Sequence, residues 1–469
     1  MDDRRPPPAG AAAPATRPAP AAPAASGATS WPPAGGRLEV AAWLAAYLAV
    51  LAAAVAAGYR MWVPWPYVNL LPRELLVERL GESLWNLHSQ PPLLNLVLGG
   101  ALALEAASGV AVETWLLVLQ ALVGGVVVAA TAALLLRLRL RRWLRAAVMA
   151  LLLLDPAFYF FVALFFTPIY ELLFLSLAAL AVHRFASRPG AGAFAGLCVP
   201  VVALVYCRAL FHPAWAAAAL AAVAAGGGLL AAAAVRRRIA VVLALAAVSL
   251  AAWPVKNALR FGVWGFSSWQ GFNLSRGFAI APPPAWALFS WERLPGAGAA
   301  RAGALALVPA RFRGIPALTM TAKEDGSPNW NHYAMIAMSK ELGRQALEII
   351  VHQPGRVAIK ALDNYLRRFC RSPVEVGEGA LRRALFAACF PLLCAAAAWR
   401  ILRLRAADRP AAITLAFLLT TVLWVLAMAL FVDGDEAWRL RFSTQLALWI
   451  GAAAALDGWL PGRSAYRGR

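Results

Sequence analysis

Charged residues make up only 14% of this chain, and acidic ones are the rarer half: 23 Asp and Glu against 44 Lys and Arg in 469 residues. A soluble globular domain carries about 25% charged and about 45–50% apolar residues. Here 61% is apolar, which excludes the ordinary soluble classes. Cysteine is sparse too. Cys198, Cys207, Cys370, Cys389 and Cys394 form no CxxC pair, and four of them lie within apolar runs. They read as small packing residues, not as a disulfide scaffold or redox centre. No cluster of His, Cys and Glu has zinc-ligand spacing, and no glycine-rich phosphate loop follows a strand. Internal repeats and symmetry-related charges within apolar segments, the marks of many transporters, are missing.

What the sequence has in abundance is apolar runs approaching the roughly 20 residues that span a bilayer. They predict an all-α polytopic membrane protein with about ten transmembrane helices, near 39–58, 113–136, 146–164, 169–185, 192–207, 213–232, 238–255, 381–402, 411–431 and 441–458. Residues 1–37, rich in Pro and Ala, read as a disordered cytoplasmic tail and not as a cleavable signal. The apolar stretch 93–107 is short and falls to a first outer loop, 59–112. The inner connections are then Arg137–Arg145, His183–Gly190, Arg236–Arg238, Arg400–Arg409 and the tail after Gly462, all arginine-rich, as positive-inside bias requires. The formal charge of +21 reads as inner-face arginine against anionic headgroups. Nucleic acid is a poor partner, because the basic residues flank spans. Arginine has almost wholly replaced lysine, and with abundant Ala, Gly and Pro this suits a GC-rich bacterial genome. The expected location is a bacterial inner membrane, with both termini cytoplasmic.

The outer side holds the first loop, a large loop over 256–380 containing an amphipathic stretch at Tyr333–Val351, and the turn 432–440. Trp264, Trp269, Trp286, Trp291 and Trp330 suit a headgroup-level surface. In the first loop, Glu74, Glu78 and Glu82 precede His88-Ser-Gln-Pro91-Pro92, where the proline pair must interrupt a helix. Glu74 and Glu78 share a helix face and read either as a solvated face paired with Arg73 and Arg79 or as chemistry at the lipid boundary. Asp155 before Pro156 reads equally as a helix cap or a functional carboxylate. Asn329-Trp-Asn-His332 is a polar island in which Asn331 caps the following helix.

The order of these features resembles the GT-C superfamily of polyprenyl-phosphate-sugar-dependent glycosyltransferases, in the branch of protein O-mannosyltransferases and the lipid A aminoarabinose transferase. The resemblance is carried by the acidic start of the first loop and its His88-Ser-Gln-Pro-Pro-Leu93 end. It continues through the basic inner turn, the outer turn Phe165-Phe-Thr-Pro-Ile-Tyr-Glu171 and the hairpin tip Cys207-Arg-Ala-Leu-Phe-His212. The helix end at Trp253-Pro254, opening into Ser267–Arg276, completes it. It covers roughly residues 39–280.

The resemblance implies an inverting transfer of a monosaccharide from a polyprenyl-phosphate donor to a lipid, glycan or protein acceptor at the outer face. The rival is a non-catalytic lipid-binding or transport protein. Such a transfer needs a base for the acceptor hydroxyl and cations for the phosphate. Glu74 is the implied base, with Glu78 and Glu171 behind it, although Arg73 stands where the family has its usual aspartate. His88, Gln90, Arg208, His212, Lys256, Arg276, Arg439 and Arg441 are the implied donor-binding residues. Each cation alone reads as snorkelling to headgroups, and together they read as a phosphate pocket. Asp433 and Asp435 could chelate a divalent ion, but the resemblance implies no metal cofactor.

Overall fold

The computed structural model describes residues 34–65, 69–226, 233–278, 280, 303–371, 380–432 and 437–460. Among them the chain is helical, with two isolated β-bridges and no strand. This is an all-α, multi-pass membrane architecture. Trp286, Trp291, Asp433, Asp435, Glu436, the tail after Gly462 and most of 1–37 lie outside the described residues. The first helix begins at Ala34, within the segment expected to be disordered.

In chain order the helices are α1 (Ala34–Ala56), α2 (Arg73–Glu78), α3 (Leu80–Trp85), α4 (Leu93–Ser108), α5 (Val112–Arg137), α6 (Arg142–Leu154), α7 (Pro156–Ala163), α8 (Thr167–Ser187), α9 (Ala191–Cys207), α10 (Pro213–Gly226), α11 (Ala233–Phe261) and α12 (Gln270–Gly277). After short turns of helix, among them Ala310–Phe312 and Pro316–Thr319, come α13 (Ala334–His352), α14 (Pro354–Asp363), a π-helical turn at Asn364–Phe369, α15 (Ala380–Ala407), α16 (Arg409–Phe431) and α17 (Ala437–Trp459). Each of the ten expected spans coincides with one of these helices or with a bent pair. Six of them, within α1, α5, α8, α11, α15 and α16, are long and apolar enough to cross a membrane, and the bent pair α6–α7 brings the total to seven. The α9 and α10 segments are shorter, and α17 carries Arg439 and Arg441 in its first turns.

Burial sorts these helices into a centre and a rim. α8 packs on α5, α9 and α16, and over half of α5 and α8 is inside the protein, against about a tenth of α1. The rim helices turn Leu48, Val50, Leu243, Leu245, Leu385 and Leu392 outward. In water such a surface would be an aggregation liability; against acyl chains it is the expected one.

Two interruptions depart from the sequence reading. The expected helix over 146–164 bends by 49° at Asp155–Pro156, because Pro156 offers no backbone donor and crowds the preceding turn. Asp155 accepts from the Ala157 amide at 2.9 Å and caps α7, and it also accepts from Gln445 at 3.1 Å. By contrast, α11 does not stop at Trp253–Pro254: it runs through Pro254 to Phe261. Lys256 and Arg260 are therefore helix residues and not the opening of a loop.

The arginine-rich turns gather at one end of the bundle. Arg145 pairs with Glu39 at 2.6 Å, Arg141 with Asp457 at 3.6 Å, and Arg137 lies within electrostatic reach of Arg184 and Arg188. The segments 59–92 and 262–333 meet at the other end. There α12 crosses α13 where Gly271 faces Gly343, and a Cβ on Gly271 would lie 1.8 Å from the Ser339 carbonyl oxygen. Backbone cannot yield as a flexible side chain can, so Gly271→Ala forces the helices apart at a cost of about 1–3 kcal/mol or more. Its apparent Tm in detergent is expected to fall by several degrees, whereas Gly100→Ala, with open space at its Cβ in the interior of α4, is expected to hold Tm or raise it slightly.

Candidate functional site

The joint between the segments 59–92 and 262–333 is built from the polar stretch that precedes the proline pair. Residues 85–89 leave the six-residue helix α3 and must satisfy their backbone groups away from water. Side chains from far along the chain do so. Asn331 accepts from the His88 and Ser89 amides at 2.9 and 3.1 Å, and donates to the Asn86 carbonyl at 3.1 Å. Lys256 donates to the carbonyls of Leu87 and Trp85 at 2.5 and 3.4 Å, and Arg260 donates twice to the Asn86 side chain at 2.9 and 2.6 Å. Ser267 donates to the Ser89 carbonyl, and His88 Nδ1 meets Ser268 Oγ at 2.8 Å. A second clasp lies upstream, where Glu324 accepts from the Glu74 amide at 2.8 Å and Lys323 donates to the Trp65 carbonyl at 2.9 Å.

This joint reassigns several residues. Asn331 caps no helix: α13 starts at Ala334, and its amide is consumed by residues 86–89. Trp269 and Trp330 are not headgroup-level residues but a buried edge-to-face pair with centroids 5.4 Å apart. Trp264 is exposed, as expected of an interfacial indole.

A cavity of about 330 Å³ opens beside the joint. Arg208 and His212 at the hairpin tip between α9 and α10, Gln90 and Asn69 of the first loop, Gln270, Asn273 and Arg276 of α12, and Arg439 of α17 all line it. Leu94, Leu210, Leu274, Met428 and Val432 supply its apolar wall. Of the eight residues expected to bind a donor, the structure brings five to this cavity: Gln90, Arg208, His212, Arg276 and Arg439. His88 and Lys256 belong to the joint. Arg441 donates to the Cys370 and Arg371 carbonyls, both at 3.0 Å, and stacks on Phe386.

The carboxylates separate in the same way. Glu74 and Glu78 are exposed on α2 and do not line the cavity. Glu171 is completely buried, one step behind the lining: it accepts from Arg208 at 2.9 Å and from Ser443. This pair crosses from α8 to the α9–α10 tip and on to α17. Among the described residues no carboxylate lines the cavity and no group of side chains could hold a metal ion. Asn69, Gln270 and Asn273 were not singled out by the sequence reading. Their signal was the spacing of Gln270, Asn273 and Leu274, which puts two amides and a leucine on one face of α12.

Comparison with family models, with curated proteins and with solved structures finds no match for this chain.

Burial holds two histidines of this end neutral. The His88 imidazole is pushed down to about 3 by burial, with the Lys256 charge adding to the effect, and His332 is pushed down to about 4, again by burial. Each lies below the ordinary value of about 6.5. The unfolded chain therefore takes up protons first as pH falls, so stability is full above about pH 6.5 and declines toward the folded values. Each pH unit in that window costs about 1.4 kcal/mol per histidine. Apparent Tm is expected to drop between pH 7 and pH 5. In His88→Asn, whose amide oxygen can take the place of Nδ1 toward Ser268, the drop is expected to shrink.

Proposed function

We propose that this chain is an integral-membrane glycosyltransferase of GT-C type, moving a monosaccharide from a polyprenyl-phosphate donor at the outer face of a bacterial inner membrane. One observation carries the reading: three arginines, Arg208, Arg276 and Arg439, line one cavity with an apolar wall and several amides. Guanidinium forks match phosphate oxygens, an apolar wall suits the first isoprenes, and amides suit sugar hydroxyls. In this reading the arginines take the phosphate and stabilise its charge as the sugar departs. Glu171 and Ser443 hold Arg208 in place from behind.

A second reading, donor binding without transfer, is favoured by the absence of a carboxylate among the described lining residues. Purified protein in nanodiscs, given radiolabelled polyprenyl-phosphate hexoses and membrane acceptors, separates the two. Turnover supports transfer; tight binding with no turnover for every donor supports the second reading.

The arginines can be tested within the same assay. Losing one or two charge-assisted hydrogen bonds of about 1.5–3 kcal/mol each predicts donor affinity about ten- to a hundredfold weaker in Arg208→Ala. Arg208→Lys is expected to recover part of it, since a point charge lacks the fork. Glu74→Gln is expected to keep its turnover, because Glu74 is exposed and outside the lining. A loss of about 10²–10⁴ would instead make Glu74 the base.

The orientation rests on the arginine-rich end facing the cytoplasm. In a cysteine-free background, an impermeant maleimide is expected to label Asp325→Cys in intact cells, and Arg142→Cys only after the membrane is opened. The reverse pattern overturns the orientation.

A further inference from the structure

A second cavity, of about 420 Å³, opens between α10, α15 and α16. It lies toward the arginine-rich end. Its α16 lining begins at Arg409, whereas the first cavity touches α16 at Met428 and Val432. Nineteen residues of helix separate Arg409 from Met428, roughly 28 Å at about 1.5 Å per residue, close to the hydrocarbon thickness of a bilayer, about 30 Å. The two cavities thus sit at opposite membrane boundaries.

Small side chains make the groove. Ala219 and Ala222 on α10 face Ala412 and Ala416 on α16 across it, and Phe417 adds to its wall. Arg405, in the last turn of α15, and Arg409, at the start of α16, stand at one end of the lining, and both are exposed. Among the described residues neither makes a hydrogen bond or ion pair. Helix energetics do not explain Arg409: a cation in a first helical turn opposes the helix dipole, and Asp408 already caps α16 by accepting from the Ala411 amide. Along α16 the lining runs from Arg409 to Thr420, roughly 16 Å, about the depth of one leaflet's hydrocarbon.

We propose that this groove is a binding site for an anionic glycerophospholipid. Its phosphate lies between Arg405 and Arg409, and one acyl chain lies along the alanine-lined channel toward Thr420. Charge selects the occupant. Two guanidiniums at headgroup level favour a net-negative headgroup, and a zwitterionic one brings its own cation against them. The site is independent of the first cavity and of the function assigned to it.

The test is native mass spectrometry of full-length, delipidated protein in detergent, titrated with dioleoyl-phosphatidylglycerol, dioleoyl-phosphatidylcholine or inorganic phosphate. Phosphatidylglycerol is expected to bind at least tenfold more tightly than phosphatidylcholine, and inorganic phosphate is expected not to displace it at equal concentration. The double variant Arg405→Gln/Arg409→Gln is expected to lose the tenfold preference, and Ala416→Phe, which fills the channel, to lose retention of the lipid. Arg405→Lys/Arg409→Lys keeps the charge and is expected to keep most of the preference, which separates loss of the site from loss of folding. Arg403→Gln, on the same helix but stacked over Trp399, is expected to bind as the parent does. The proposal is overturned if the double Gln variant keeps its preference, if Ala416→Phe retains lipid normally, or if inorganic phosphate competes as well as the lipid.

Discussion

Polar backbone buried away from water must find its partners inside the protein, and residues 85–89 concentrate that demand. They lie between a helix too short to satisfy its own ends and a proline pair that supplies no donors. Lys256 and Arg260 on α11, with Ser267, Ser268 and Asn331 on the segment 262–333, answer it. An unmet buried group costs about 1–3 kcal/mol, so the register of the two segments is set by this exchange. The cavity follows from that register. Gln90 comes out of the joint on one side and Ser267–Arg276 on the other, and the hairpin tip of α9 and α10 closes the space between them.

The electrostatics have the same economy. Arg208 reaches the cavity with its charge balanced by Glu171, which is itself held by Ser443. A lone buried arginine would carry a large desolvation penalty. A pair bonded at both ends can place one guanidinium edge at a cavity while the other is fixed. Phe166 beneath Arg439 at 4.3 Å serves a comparable purpose through its ring face.

The membrane character, the helical class and the position of nearly every long helix were legible in the sequence, because length and apolarity alone determine them. That Arg208 and Arg276 fall on one side was legible in the order of apolar segments, but their meeting at one cavity was not, since Arg276 lies on the polar helix α12, beyond the end of α11 at Phe261. What the sequence could not disclose was which polar residues spend themselves on one another. His88, Lys256 and Asn331 look like ligand-binding or capping residues when read singly, and only their partners, between 169 and 245 residues away, show that they hold the joint. Pro254 misled for a related reason. Proline is a strong helix stop in isolation, but α11 is long enough to carry one missing hydrogen bond. The amides of α12 escaped notice because a helix of eight residues is too brief for periodicity to stand out.

The joint also imposes a schedule on biogenesis. The amides of His88 and Ser89 cannot meet Asn331 until some 240 further residues have been synthesised. At roughly 5–20 residues per second this is a wait of about 12–50 seconds. Throughout it, residues 85–89 wait without their Asn331 partner, their polar backbone still hydrated. Closure then comes in two steps, because chains ending between residues 268 and 331 already carry Lys256, Arg260, Ser267 and Ser268 but lack the Asn331 contacts, and leave the ribosome with the joint half made.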